Sequence, residues 1–230
     1  MAIAIVAALL LSAAAAWAFT IAQSGSMAMS GGIAMMGAGL FLATWVVMMV
    51  AMMFPSTIPM TLAFASVSRN RGDGVLPTGV FVGSYLLVWA AAGLVPLAVI
   101  YGMSQVWMSP PSWIARVAGA VIVIAGVYQF TPLKDACLRA CRSPLGFLMT
   151  HDFGGGAASA GRAGLAHGLY CLGCCWALMA VLAVLGLMNL AWMAVIAAVF
   201  FVEKNVRFGD VLPKVVGLAC VVGGIALLIV

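Results

Sequence analysis

Charge is what this chain has least of. Asp, Glu, Lys and Arg make up 7 % of its 230 residues, against 66 % hydrophobic residues and a mean hydropathy of +1.24. That excludes an ordinary soluble domain, in which about a quarter of residues are charged. The apolar runs also lack period-two alternation, which excludes a β-barrel, the other backbone arrangement that lipid tolerates. The chain has no glycine-rich phosphate loop, no Ser–His–Asp arrangement and no pair of catalytic carboxylates, and it contains two histidines. Few polar residues fall within the apolar runs, which argues against a transporter of charged organic solutes. Lys and Arg are absent from the first 68 residues.

What remains is a succession of apolar stretches about 20 residues long, the length that crosses a hydrocarbon core of about 30 Å as a helix. Seven spans are predicted, at roughly 2–22, 33–54, 77–101, 112–130, 162–186, 188–206 and 211–229. The second continues past Pro55 and Pro59 to about residue 66 as a kinked or broken segment. Residues 2–22 have no basic leader and run long for a signal-peptide core, so they read as a retained span. The fold class is all-α: residues 1–230 form one polytopic transmembrane helical domain, with a connector at about 131–161 that carries a short helix.

The net charge of +5 reads as topology and not as affinity for nucleic acid. Arg69, Arg71, Lys134, Arg139, Arg142, Arg162, Lys204, Arg207 and Lys214 fall in or beside the loops joining spans two–three, four–five and six–seven. Those loops share one side of the bilayer, and positive charge marks it as cytoplasmic, with the N terminus inside and the C terminus outside.

Three constellations carry chemistry. In the fifth span, His167, Cys171, Cys175 and Met179 follow one another at i+4 steps and Cys174 stands three after Cys171, so all five share one broad face. Between spans, Thr131 is a predicted N-cap with Pro132 at the first helical position, Pro144 stops the helix, and Cys137 and Cys141 share a face. Basic Lys134, Arg139 and Arg142 favour the thiolate at these cysteines. In the second span, Met48 with Met52 and Met49 with Met53 form adjacent i+4 pairs just before Pro55. Met27, Met29, Met35 and Met36 lie toward its outer end. Thiolate, thioether and imidazole together suit soft ions, above all Cu(I), with zinc or iron less favoured. Counted inward from Arg162 at 1.5 Å per residue, Cys171 lies ~14 Å and Cys175 ~20 Å along the helix. A soft-ligand path from the cytoplasm toward the membrane centre follows if these helices are neighbours.

The run ending in Ala51–Met52–Met53–Phe54–Pro55, the block from Tyr128–Gln129 to Cys141–Arg142–Ser143–Pro144–Leu145, the motif Cys171–Leu172–Gly173–Cys174–Cys175–Trp176, and Met188–Asn189–Leu190 leading to Glu203–Lys204 resemble a bacterial family. Its members are integral membrane proteins described as metal-binding, some labelled copper chaperones. The resemblance covers about residues 33–210 and implies a bacterial inner-membrane protein that handles copper.

Against each reading stands a plainer one. Methionine is an adaptable apolar filler, and cysteine is commonly buried, although three cysteines in five residues exceed what packing needs. A Cys137–Cys141 disulfide is disfavoured, because an i+4 pair on a regular helix is poorly placed for one and the cytoplasmic face is reducing. Glu203 is expected to pair with Lys204 and Arg207 at a helix end, and Cys220 reads as packing. Trp45, Trp89, Trp107, Trp113 and Trp192 suit interfacial or packing positions. Gly164 to Gly168 is a GxxxG that brings span five close to another helix, expected to carry partner ligands.

The leading function is Cu(I) storage, delivery to a membrane or periplasmic cuproprotein, or transport. Cys137 and Cys141 would capture the ion, Cys171, Cys174 and Cys175 would hold it, and the four methionines would form a softer neighbouring site. A transmembrane thiol–disulfide relay, a metal-dependent oxidative enzyme and a structural subunit of a membrane complex are the alternatives. The sequence is compatible with an oligomer.

Overall fold

A chain this apolar keeps its amides hydrogen-bonded through helices, and the computed structural model is helical with no strand among its described residues. It describes residues 2–29, 37–102, 113–150, 155–187, 189–206 and 211–229, with side chains given from residue 2 to 24 in the first of these ranges. The helices are α1 (Ala2–Met29), α2 (Ala38–Asn70), α3 (Leu76–Ala92), α4 (Leu94–Gly102), α5 (Ile114–Tyr128), α6 (Pro132–Arg142), α7 (Pro144–Thr150), α8 (Gly156–Leu185), α9 (Leu190–Asn205) and α10 (Val211–Ile229). The side chains of Met27 and Met29 and all of Met35, Met36, Trp107, Met188 and Arg207 lie outside the described residues.

Helix α2 is continuous through both prolines. Pro55 has no N–H to give the carbonyl of Ala51 four residues back. Trp17 of α1 fills that vacancy, its Nε1 donating to the Ala51 oxygen at 3.1 Å. Beyond it the hydroxyls of Ser56, Thr57 and Thr61 donate to the carbonyls of Met53, Phe54 and Thr57. Helix α2 is thus not broken at the prolines, and Trp17 supplies the donor that Pro55 lacks.

Helices α2 and α8 form the centre. Helix α2 packs against α1, α3 and α9, while α8 packs against α3, α5, α6 and α9. Helix α10 pairs chiefly with α5. Half of the most apolar window of both α2 and α8 is buried, against 17 % for α1 and α10, which present side chains such as Leu11, Leu218 and Ile229 outward. Trp45 and Trp89 are buried packing residues, with Trp45 Nε1 donating to the Trp89 carbonyl at 2.8 Å.

Among the described residues, five helices are long and apolar enough to cross a membrane: Ala2–Ser24, Ala38–Asn70, Leu76–Gly102, Gly156–Leu185 and Val211–Ile229. The count rises to six if Ile114–Tyr128 and Pro132–Arg142, bent by 64°, make one broken span. The expected sequence of seven full spans is not met in length: α5 has 15 residues and α9 has 16, against the ~20 that a full crossing takes.

The connector carries two helices where one was expected. Thr131 caps α6 as predicted, its Oγ1 accepting from Lys134 N at 3.3 Å, but Pro144 both ends that helix and opens α7. The GxxxG does bring a helix close, and the neighbour is α3. A side chain on Gly164 would meet the backbone of Phe81, and one on Gly168 would meet Val88. The expected ligand-bearing neighbour is thus replaced by a helix whose nearby polar group is Tyr85. A second close contact, not anticipated, pairs Gly119 and Gly126 of α5 with Gly224 and Gly217 of α10.

Gly164→Val is expected to lower stability by about 1–3 kcal/mol or more, because the Phe81 backbone cannot retreat. Gly83→Ala, where no atom lies within 4 Å, is expected to be neutral or slightly stabilising. Thermal unfolding of the two variants in detergent checks the contrast.

Candidate metal centre

The five residues that spacing places on one face of α8, His167, Cys171, Cys174, Cys175 and Met179, are all buried, with Leu178 and Leu182 buried beside them. The sulfurs of Cys171, Cys174 and Cys175 all lie within 4.8 Å of one another. Cys174 Sγ is 3.4 Å from Cys175 Sγ, and its thiol points to the Cys171 carbonyl at 3.2 Å. Helix α6 adds Cys141, whose Sγ stands 3.9 Å from Cys174 Sγ. Cys137, one turn earlier, is half-buried, and its sulfur rests over Gly173, where any side chain would displace it. The Gly173 carbonyl accepts a 2.7 Å hydrogen bond from Tyr128 Oη. All six cysteines are free thiols.

The methionines of α2 join the same cluster. Met48, Met49, Met52 and Met53 are each no more than 2 % exposed and pack with Met179 and the four buried cysteines. Both i+4 pairs therefore face inward, with Trp45, Tyr85 and Trp89 around them. Sequence spacing had placed each group on a face of its own helix; the fold brings those faces together. Cys220 is packing, half-buried against this cluster and its neighbour.

His167 stands apart from the three sulfurs, whose mutual 4.8 Å set does not include its ring nitrogens. It sits in an aromatic box, stacked on Phe81 and Tyr85 at centroid distances of 5.9 and 5.5 Å and edge-on to Phe147 at 5.8 Å. Both of its nitrogens are buried with no hydrogen-bond partner.

The charges are arranged differently from expectation. Glu203 does not pair with Lys204. Both of its carboxylate oxygens accept from Lys134 Nζ, at 2.8 and 3.0 Å, and both residues are fully buried. Lys134 also donates to Gln129 Oε1, and Arg142 Nε donates to the Glu203 carbonyl. Two of the basic residues expected to favour thiolate at Cys137 and Cys141 thus tie α6 to α9 instead. The cation at the sulfurs is Lys204, with Nζ 3.1 Å from Cys171 Sγ, 3.4 Å from Ser56 Oγ and 3.9 Å from Met53 Sδ. On its other side Cys171 Sγ meets Tyr85 Oη at 3.2 Å.

Lys204 and Tyr85 are the site residues that sequence reasoning missed. A usable sign for Lys204 was present: a charge at the end of an apolar helix must find a partner. Tyr85 carried no such sign.

With this geometry in place, comparison with known proteins is informative. A family model described as PpoB2, copper chaperone, matches residues 42–227. The chain belongs to this family. No curated protein and no solved structure matches it. The matched region of this copper-chaperone-family protein contains every cysteine described above and the methionines of α2. Three converging soft sulfurs, a fourth beside them and surrounding thioethers form a donor set that fits copper.

The Lys134–Glu203 pair is the charged joint of the site. Glu203→Leu is expected to cost about 3–5 kcal/mol by leaving the Lys134 ammonium buried without a carboxylate. The double variant Lys134→Met/Glu203→Leu is expected to recover part of that loss, as a double-mutant cycle of detergent-phase unfolding would measure.

Proposed function

We propose that this chain binds Cu(I) inside a helical bundle in a bacterial inner membrane and holds it for storage, delivery or transport. The observation that carries the reading is the convergence of Cys171, Cys174 and Cys175 within 4.8 Å in a region closed to water. Thiolates favour Cu(I), and two or three sulfur ligands satisfy it without a preformed four-ligand cage. The family match supports copper as the cargo.

Exposure grades the ligands. Cys137 is half-buried, Cys141 is 8 % exposed, Cys174 is 2 % exposed, and Cys171 and Cys175 are fully enclosed. An ion taken up at Cys137 passes to Cys141, across the 3.9 Å gap to Cys174 and then to the enclosed pair. Met48, Met49, Met52, Met53 and Met179 form a softer exit shell, since a thioether carries no charge and holds the ion less tightly. His167, one turn from Cys171 with both nitrogens unpartnered, is a further stop. In this reading the basic loops face the cytoplasm, the seven segments form the membrane domain with α5 and α9 as shortened members, and a cuproprotein receives the ion.

A second reading rests on the same 3.9 Å approach of Cys141 and Cys174 from different helices. Two-electron oxidation of this dithiol by a membrane acceptor would form a disulfide and release two protons, which is the chemistry of a thiol relay.

Detergent-purified full-length protein, kept anaerobic and reduced and then loaded with Cu(I), is expected to retain about one ion or more per chain, as a soft-sulfur site predicts. Cys171→Ser is expected to lose that copper, and replacing Cys137, Cys141, Cys171, Cys174 and Cys175 together with serine abolishes it. Elemental analysis reads the result. Copper retained in the quintuple variant sinks the proposal; no copper in wild type, with Cys141 and Cys174 cycling to a disulfide under mild oxidant, transfers the function to the relay.

A further inference from the structure

Two ammonium groups and one carboxylate meet where α6, α8 and α9 join, and their pairing is selective. Lys134 takes both oxygens of Glu203, so that pair is neutral as a unit. Lys204, adjacent in sequence to that carboxylate, makes no ion pair with it. Its surroundings are Cys171 Sγ, Ser56 Oγ, Met53 Sδ and, 5.7 Å away, the face of the Phe200 ring. Lys204 is 7 % exposed. A buried cation needs a partner nearby, and the nearest of these groups is Cys171 Sγ, one of the three clustered sulfurs.

We propose that Lys204 is the fixed counter-charge of the cysteine cluster and a specificity-determining residue that biases it toward a monovalent soft cation over a divalent one. The inference rests on the metal-binding reading above and adds the residue that sets its charge preference. Thiolates around Cu(I) leave a net negative charge, minus one for two and minus two for all three, which the ammonium offsets. With the same sulfurs, exchanging the monovalent ion for a divalent one places an extra positive charge a few ångströms from a fixed positive charge in an apolar interior. Coulomb repulsion there is far less screened than in water. Lys204 therefore raises affinity for Cu(I) by stabilising thiolate and penalises Zn(II) relative to it. Its 3.1 Å approach to Cys171 is short enough for a charge-assisted hydrogen bond.

The test uses the full chain in detergent, anaerobic and reduced, with Cu(I) affinity measured by competition against a chromogenic chelator and Zn(II) affinity measured likewise. Lys204→Met and Lys204→Gln are expected to lose roughly 10- to 100-fold in Cu(I) affinity, the worth of a hydrogen bond to a charged group. Zn(II) affinity is expected to fall less, so that the Cu(I)-to-Zn(II) preference drops, whereas Lys204→Arg keeps the wild-type preference. An unchanged preference in both neutral variants, an equal loss of both metals, or an Arg variant that behaves like the neutral ones overturns the assignment. A wild-type chain that binds no Cu(I) overturns instead the copper reading on which it rests.

Discussion

A helical bundle must answer every buried charge locally, and in this chain one glutamate helps to place three helices. Glu203 stands at the end of α9, and Lys134 and Arg142 of α6 both reach it, Lys134 through its carboxylate and Arg142 through its backbone carbonyl. Gln129, just beyond α5, binds the same Lys134. These contacts hold an 11-residue helix, too short to be stable by itself, in one position against α8. The consequence is chemical: Cys141 arrives 3.9 Å from Cys174, and Cys137 settles over Gly173. The ion pair adds to the direct packing of Leu138 and Cys141 against the three cysteines of α8.

What could be read beforehand follows from the reach of a helical period. Spacing fixes which residues share a face, and so the inward turn of Cys171, Cys174, Cys175 and Met179, the four inward methionines of α2, and the Thr131 cap and Pro144 stop were all legible. Spacing does not say which helix a face meets. The close approach at Gly164 was readable, but its neighbour α3 was not, and neither was the contact of Tyr85 with Cys171 across 86 positions. The expected Glu203–Lys204 pair failed for a local reason. Consecutive residues on a helix point about 100° apart and do not face each other, so one turned to α6 and the other to the sulfurs. The ends of α5 and α9 fall within two residues of the expected 112–130 and 188–206, because apolar composition does locate these helices.

The methionines bear on the plain packing reading as well as on the functional one. Four thioethers on α2 fill space that leucines could fill, and burial alone does not distinguish the two. They share a cluster with leucine, isoleucine and aromatic side chains, as packing requires, and with four cysteines drawn from two other helices, which is what the copper reading proposed above draws on. Lys204 Nζ at 3.9 Å from Met53 Sδ and 3.1 Å from Cys171 Sγ links the thioether and thiol groups through one cation.

The same ion pair that docks α6 also decides the hardness of the site. Glu203 is the buried carboxylate among the described residues. An unpaired buried carboxylate is a hard, anionic donor suited to magnesium, manganese or calcium. Lys134 occupies both oxygens of Glu203. The donors left in the cluster are thiols and thioethers, and the remaining ammonium faces them. In the proposed copper site softness is thus a matter of charge pairing as much as of cysteine content: one lysine engages the oxygen donor, and the other stands at the sulfur.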